Sequence, residues 1–169
     1  MVTLHHFPKN KDKFTRLIEF FQEVLDICDE LNIAPVLNGS LAVFAYTGNQ
    51  EMNVNDVDLS CSEMDFPRIM NALEARGIEY KLMEWHVLQV LKDDLKVELD
   101  SVEYWYKDLP TDCVTLQVDN HKVNMLTLSS LKELYRQGMK DRAVKTDVNE
   151  KMKYEALKLK FEALEKVKD

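Results

Sequence analysis

Residues 78–125 restrict the fold more than any other part of the chain. This segment contains five short runs in which apolar and polar residues alternate, and turn-forming residues separate the runs. Alternation of this kind predicts β-strands, here over residues 78–83, 86–91, 95–106, 114–118 and 122–125. The last two runs flank Asp119-Asn120, which is typical of a hairpin turn.

Helical patterns lie on both sides of this segment. Apolar residues recur at three- and four-residue steps from Phe14 to Leu31, which predicts an amphipathic helix. Short strands are expected at residues 36–37 and 57–59, and helices over residues 40–46 and 65–76, with Ser40 as an N-cap. Two more helices begin near Ser130 and Asp147, each followed three residues later by glutamate, as in a capping box.

These elements predict an α+β fold with a mixed β-sheet, flanking helices and a helical C-terminus. We expect one domain over residues 1–169. Its parts are an N-terminal helix (1–34), an α/β core (35–126) and C-terminal helices (127–169). The apolar faces of the first and last helices leave room for a homodimer.

The composition limits the class of protein. The chain has 169 residues, is 46% hydrophobic and 31% charged, and carries a formal net charge of −8. These values exclude a disordered chain, and no apolar run approaches the roughly 20 residues of a membrane span. The acidic charge argues against long nucleic acids as partners, because they require a basic surface. Three cysteines without CxxC spacing, and no signal-peptide pattern, predict a cytoplasmic protein with reduced thiols.

The turn Asn38-Gly39-Ser40 is the first candidate for a binding site. It follows a predicted strand and opens a predicted helix, where free backbone N–H groups and the helix dipole favour an anion. Glycine allows a phosphate to approach the backbone, and the Ser40 hydroxyl can donate one more hydrogen bond. The alternative is that Gly39-Ser40 only caps the helix.

Asp56 and Asp58 form the second candidate. Residues two apart on a strand project to the same side, so the two carboxylates are expected to lie close together. Close carboxylates repel each other, and hard oxygen ligands in this arrangement suit Mg²⁺ together with substrate phosphates. The alternative is an ordinary solvated pair.

Glu98 and Asp100 form the third candidate. Both lie on the strand predicted over residues 95–106. If that strand lies beside the one with Asp56 and Asp58, the carboxylates converge, and one of them can accept a proton from an attacking hydroxyl. The alternative is a solvent-facing strand with ordinary charges.

Gly39-Ser40, Asp56-Val57-Asp58 and a later acidic strand residue together resemble the signature of the DNA polymerase β-type nucleotidyltransferase superfamily. The resemblance is to its small stand-alone members, including the minimal and the antibiotic nucleotidyltransferases. It implies that the Gly-Ser turn binds nucleotide phosphates and that the aspartate pair binds metal. It also implies that a third carboxylate is the catalytic base; Val97-Glu98-Leu99 fits the family pattern slightly better than the residues around Asp100.

The same resemblance implies a reaction and its cofactors. The chain is expected to move a nucleoside monophosphate from an NTP to a hydroxyl of a small-molecule or protein acceptor, with Mg²⁺ or Mn²⁺. ATP is the expected NTP. Arg142 and Lys145 lie in a basic segment before the last helix and are expected to reach phosphate; the alternative is a solvated helix end.

Two further observations leave alternatives open. The stretch Tyr104-Trp105-Tyr106 could form an aromatic wall over a nucleobase or acceptor, or simply face the core. Many relatives carry a basic residue and a threonine before the aspartate pair, whereas this chain has residues 52–55 of sequence MNVN. That departure supports a second hypothesis, a nucleotidyltransferase-fold binding or regulatory module, such as a toxin–antitoxin partner, that no longer turns over.

Overall fold

One mixed sheet organises the protein. The computed structural model describes residues 1–143 and 147–168. Within these residues, eight strands are hydrogen-bonded in the order β1-β7-β8-β2-β3-β6-β5-β4. They are β1 (Val2–Thr3), β2 (Val36–Asn38), β3 (Val57–Cys61), β4 (Glu79–Met83), β5 (Val87–Lys92), β6 (Leu95–Ser101), β7 (Cys113–Val118) and β8 (His121–Leu126).

Helices lie around the sheet and at the C-terminal end. They are α1 (Lys11–Glu30), α2 (Gly39–Thr47), α3 (Phe66–Ala75), α4 (Val102–Trp105), α5 (Leu128–Ala143) and α6 (Val148–Glu165), with a 3₁₀ turn at Glu63–Asp65. The predicted α+β class with a mixed sheet and C-terminal helices is therefore confirmed. In the part of the chain that is described, no helix has the length and apolarity to cross a membrane.

The pairing of β3 with β6 sets the two faces of the sheet. The strands are parallel, and Asp58 lies opposite Glu98 while Ser60 lies opposite Asp100. Since neighbouring residues in register project to the same side and strand residues alternate, these polar side chains share one face. The intervening apolar residues Val57, Leu59, Val97 and Leu99 are fully buried on the other face.

Helix α1 fills the core with the apolar face seen in the sequence. Leu17, Phe21 and Val24 are fully buried and belong to the same hydrophobic cluster as Leu99. This face is therefore used inside the protein and cannot also serve a dimer. On α6, Val148 is exposed, as are Met152 and Leu159, and the homodimer stays a prediction.

Three local predictions were wrong. Residues 102–106 are not strand, because Ser101 ends β6 and its hydroxyl accepts a hydrogen bond from the Tyr104 amide (3.2 Å) at the start of α4. Ser40 does not cap α2, which begins one residue earlier, after Asn38. Ser130 does not cap α5 either; the Thr127 hydroxyl accepts from the Ser130 amide (3.1 Å).

The start of α6 agrees with its sequence pattern. The Asp147 carboxylate accepts hydrogen bonds from the amides of Asn149 (2.8 Å) and Glu150 (3.3 Å). From this cap the helix runs back toward the sheet, where Leu157, Phe161 and Leu164 pack onto the core cluster. As a result, the last helix contributes residues to the polar face of β3 and β6.

Candidate active site

The acidic side chains of β3 and β6 meet at the start of α2. Asp58 lies between two register partners, Asn38 on β2 and Glu98 on β6. Asp56 directly precedes β3, and Asp100 lies two residues beyond Glu98 on the same side of β6. The pairing of β3 with β6, which the sequence had left open, thus places the acids of the two strands on one face of the sheet.

Gly39 is in direct contact with Asp58. A Cβ atom at Gly39 would lie 2.2 Å from the Asp58 Oδ2, and Gly39 has φ +68°, a conformation that disfavours other L-residues. No side chain caps the first turn of α2. The N–H groups of this turn and the Asp58 carboxylate are therefore held side by side.

Replacing Gly39 with alanine tests this contact. We expect Gly39→Ala to displace Asp58 and reduce activity at least about 100-fold, because a misplaced metal-site or positioning group has an effect of that order. The left-handed φ also costs about 1–2 kcal/mol of unfolding free energy. Steady-state kinetics and urea denaturation measure the two effects.

Gly77→Ala is the matched control for that variant. Gly77 has φ +67°, but nothing lies within 4 Å of its Cβ position. It should therefore lose stability by a similar amount and keep its activity. Equal activity in both variants would show that the contact between Gly39 and Asp58 has no functional role.

A cavity of about 410 Å³ opens over this turn. The sheet side of its lining includes Asp58 and Asp100, and the opposite side comes from α4, α5 and α6. The lining residues are Asn38, Gly39, Asp58, Asp100, Trp105, Tyr106, Leu109, Leu134, Tyr135, Gln137, Gly138, Asp141, Arg142, Leu157 and Lys160. The cavity therefore places Asp58 and Asp100 on one wall, and Arg142 and Lys160 together with Asp141 on the other.

Asp58 and Asp100 in this cavity, and Asp56 outside its lining, resist ionisation. Burial raises the pKa of Asp58 well above its ordinary value, and the charges of Asp56 and Asp100 raise it further. Burial raises the pKa of Asp100 to about 7, Glu98 adds to the shift, and a hydrogen bond from Tyr106 opposes it. Burial also raises the pKa of Asp56, against the lowering effect of Lys96. A cation would relieve each of these costs.

Glu98 is engaged differently from Asp100. The Lys96 Nζ lies 3.3 Å from the Glu98 Oε1 and 3.8 Å from the Asp56 Oδ2. The Gln89 side-chain amide also donates to Glu98 (3.3 Å). Asp100 instead accepts a hydrogen bond from the Tyr106 hydroxyl (3.3 Å) and borders the cavity.

The donor set fits a hard divalent cation. Asp56 and Asp58 offer carboxylate oxygens, which Mg²⁺ prefers, and burial raises the pKa of both groups. They do not form a group of three convergent ligands: within the described residues, only Asp26, Asp29 and His121 place three ligand atoms within 4.8 Å of one another.

A second cavity, of about 740 Å³, meets the first at Asp100. Trp85 and Trp105 line it, and the Trp105 indole N–H donates to the Trp85 carbonyl (3.0 Å). Both indoles are about half exposed, so their faces are open to solvent. Asp141 and Glu150 lie on its other side.

The remaining predicted site residues are distributed as follows. Ser40 lies in the first turn of α2, next to Gly39 but outside the cavity lining. Arg142 borders both cavities, with its Nε 3.3 Å from the Glu150 Oε2. Lys145 lies outside the described residues. Of the aromatic stretch, Trp105 borders both cavities and Tyr106 is buried beside Asp100.

Sequence reasoning missed two cavity residues. Lys160 reaches the site from α6, and its charge lowers the pKa of Asp58. No motif marks it, because its place depends on how α6 packs against the sheet. Asn38 was visible as the residue before Gly39, but only the register of β2 with β3 shows that it faces Asp58.

Comparison with known proteins adds an independent finding. The family model for aminoglycoside-2''-adenylyltransferase matches residues 21–151, which is most of the chain. A search of the curated proteins returned no significant match.

Solved structures share the fold at low sequence identity. The antibiotic-resistance factor ANT(2'')-Ia is 14% identical, with a TM-score of 0.58 over 89% of each chain. The lincosamide antibiotic adenylyltransferase LnuA, bound to lincomycin, is 10% identical, with a TM-score of 0.57 over 88% of this chain and 96% of its own. An antigenic nucleotidyltransferase-like protein from Paracoccidioides brasiliensis is 15% identical, with a TM-score of 0.59 over 93% and 77%.

The matched segment contains the Gly-Ser turn and all four acidic positions of β3 and β6. Lys160 lies beyond it. The chain is a nucleotidyltransferase of the DNA polymerase β-type superfamily and belongs to the aminoglycoside-2''-adenylyltransferase family.

Proposed function

We propose that this protein transfers the nucleoside monophosphate of an NTP to a hydroxyl of a small-molecule acceptor in the cytoplasm, with Mg²⁺. ATP is the first candidate for the NTP. One observation carries the proposal. Asp58 and Asp100, whose carboxyl pKa values are raised, border the same cavity as the uncapped start of α2 and Lys160. That cavity combines groups for a phosphate, a cation and a proton.

The phosphates would lie between α2 and α6. The free N–H groups after Asn38 and the positive end of the α2 dipole favour an anion at Gly39 and Ser40. Lys160 faces this turn across the cavity, and Arg142 borders it. In this arrangement Lys160 supplies a point charge and Arg142 a planar pair of donors.

Asp56 and Asp58 would hold the Mg²⁺. When bound, the cation neutralises triphosphate charge and orients the α-phosphate for attack. The absence of a side chain at Gly39 leaves room for the Asp58 carboxylate there, and the Asp56 Oδ2 lies 3.8 Å from the Lys96 Nζ.

Asp100 is proposed as the base, in preference to Glu98. Its carboxylate takes the proton of the acceptor hydroxyl while the hydroxyl oxygen bonds to the α-phosphorus. The bond from the α-phosphorus to the bridging oxygen breaks, and pyrophosphate leaves. Because the pKa of Asp100 is about 7, it is a stronger base than an ordinary aspartate. Glu98 is already engaged by Lys96 and Gln89.

The acceptor would occupy the second cavity. It shares Asp100 with the first, so a hydroxyl placed there lies beside both the base and the phosphate site. The indole faces of Trp85 and Trp105 suit a ring-containing molecule, and Asp141 suits a polar or cationic group on it, whereas Glu150 is already paired with Arg142 and Lys153. LnuA, which shares this fold, has been solved with lincomycin bound.

A combined binding and turnover assay tests the proposal. ATP should bind in calorimetry only when Mg²⁺ is present, and pyrophosphate release should appear with at least one member of an aminoglycoside and lincosamide panel. Mg²⁺-dependent ATP binding without turnover on any acceptor would favour the non-catalytic binding module. Binding of ATP that is indifferent to Mg²⁺ would contradict the proposed metal site.

A further inference from the structure

The Asn38 side chain presents an unusual polar group. Asn38 is only 4% exposed, and its Nδ2 is buried without a hydrogen-bond partner. In the described part of the chain the only other such side-chain atom is the Nε of Arg142, which at least lies 3.3 Å from the Glu150 Oε2. A buried donor left unpaired lowers stability, so its retention requires an explanation.

The position of Asn38 suggests what it pairs with. It borders the first cavity, immediately precedes the uncapped first turn of α2 and lies in register with Asp58. As cross-strand partners, the Asn38 and Asp58 side chains project to the same face of the sheet. Asn38 does not cap the helix with its own oxygen, although asparagine is among the best N-cap residues. Asn38 thus borders the cavity, and its amide is not used within the helix.

We infer that the Asn38 Nδ2 donates a hydrogen bond to a phosphate oxygen of the bound nucleotide. This rests on the proposed function. The amide adds a neutral, directional donor to the backbone N–H groups of Gly39 and Ser40 and to the Lys160 charge. A phosphate oxygen is the ligand group that all of these donors favour, since each offers N–H and none offers a lone pair. Asn38 would thus be a phosphate-binding residue.

The test replaces Asn38 with leucine, which has a similar shape and no polar atom. Asn38→Leu should raise the Tm of the ligand-free protein by at least about 2 °C, because an unpaired buried donor is removed. The same variant should bind ATP and inorganic tripolyphosphate about 10- to 100-fold more weakly, which is typical of losing a hydrogen bond to a charged group. Calorimetry in Mg²⁺ and thermal melting provide the two readouts.

Asn38→Asp and Asn124→Leu complete the design. Asn38→Asp keeps the shape but replaces the donor with an acceptor beside Asp58, so both ligands should bind more weakly than to wild type. Asn124 is exposed on β8, opposite Val36, and Asn124→Leu should leave both affinities unchanged.

Each outcome distinguishes this inference from the proposed function. If wild type binds ATP and Asn38→Leu binds ATP and tripolyphosphate as tightly, the inference is wrong and the proposed function stands. A lowered Tm with unchanged affinity would show a structural role for the amide and would also overturn it. Weaker ATP binding with unchanged tripolyphosphate binding would move the contact to the ribose or base. If wild type binds neither ligand, the proposed function itself fails.

Discussion

Asp58→Asn should abolish nucleotidyl transfer and make the metal-free protein more stable. Activity is expected to fall on the order of 1000-fold or more, because the variant loses a charge that holds the cation against the triphosphate. Stability should rise because burial and the charges of Asp56 and Asp100 disfavour the ionised form of Asp58, and the neutral amide of asparagine avoids that cost.

Thermal melting in EDTA and pyrophosphate release in Mg²⁺ measure the two changes. The Tm of the variant in EDTA should exceed that of the wild type. Asp94→Asn is the contrasting control, because the Arg16 guanidinium binds Asp94 in the native state and lowers its pKa to about 2. That variant should gain no stability and keep its activity. A less stable Asp58→Asn protein would show that Asp58 is structurally required rather than strained.

Asp100→Asn should reduce turnover about 100- to 10,000-fold, the range expected for loss of a general base. Glu98→Gln is the matched control, since Glu98 lies on the same face of β6 and was the alternative base. It should keep most of the wild-type activity, because Lys96 and Gln89 already engage its carboxylate. The opposite ranking of the two variants would assign the base to Glu98.

The pH dependence of the same residue gives a second measurement. Asp100 must be ionised to act as a base, so wild-type kcat/KM should rise with pH toward about 7, and a bound cation would move this midpoint lower. The free energy of unfolding of the metal-free protein should change in the opposite direction and fall as the pH rises. The native carboxyl has a pKa of about 7 and the ordinary value is 3.8, so the native state holds the extra proton between these values. The metal-free protein should therefore lose stability from about pH 4 to pH 7, and Asp100→Asn should lose less.

The predictability of this fold and site differed from element to element. The α1 and β6 patterns identified their buried faces correctly, because one-sided burial leaves a clear period in the sequence. Helix starts were less predictable. Ser40 and Ser130 are good cap residues in isolation, but the backbone turned earlier in both places, and Thr127 took the role at α5. Several neighbouring residues can each cap a helix, and the tertiary packing determines which of them does so.

In the candidate site, too, local sequence patterns predicted some features, and others depend on tertiary packing. The spacing of Asp56 and Asp58 predicted a shared direction, and the pairing of β3 with β6 brought Glu98 and Asp100 beside them. What distinguishes Glu98 from Asp100 is their surroundings, Lys96 for one and Tyr106 for the other. No local pattern contains that information. Lys160 was invisible for a similar reason, since it depends on the long-range packing of α6.

The same β3–β6 register has a consequence for folding. These strands are parallel, and β6 follows β3 only after α3, β4 and β5. Closing such a long loop has an entropic cost that local helix formation does not have, so this pairing should be among the slow steps. A slip of one residue would turn Val57 and Leu59 outward and the carboxylates into the core. During refolding, the acidic cluster and the correct sheet are therefore expected to form together.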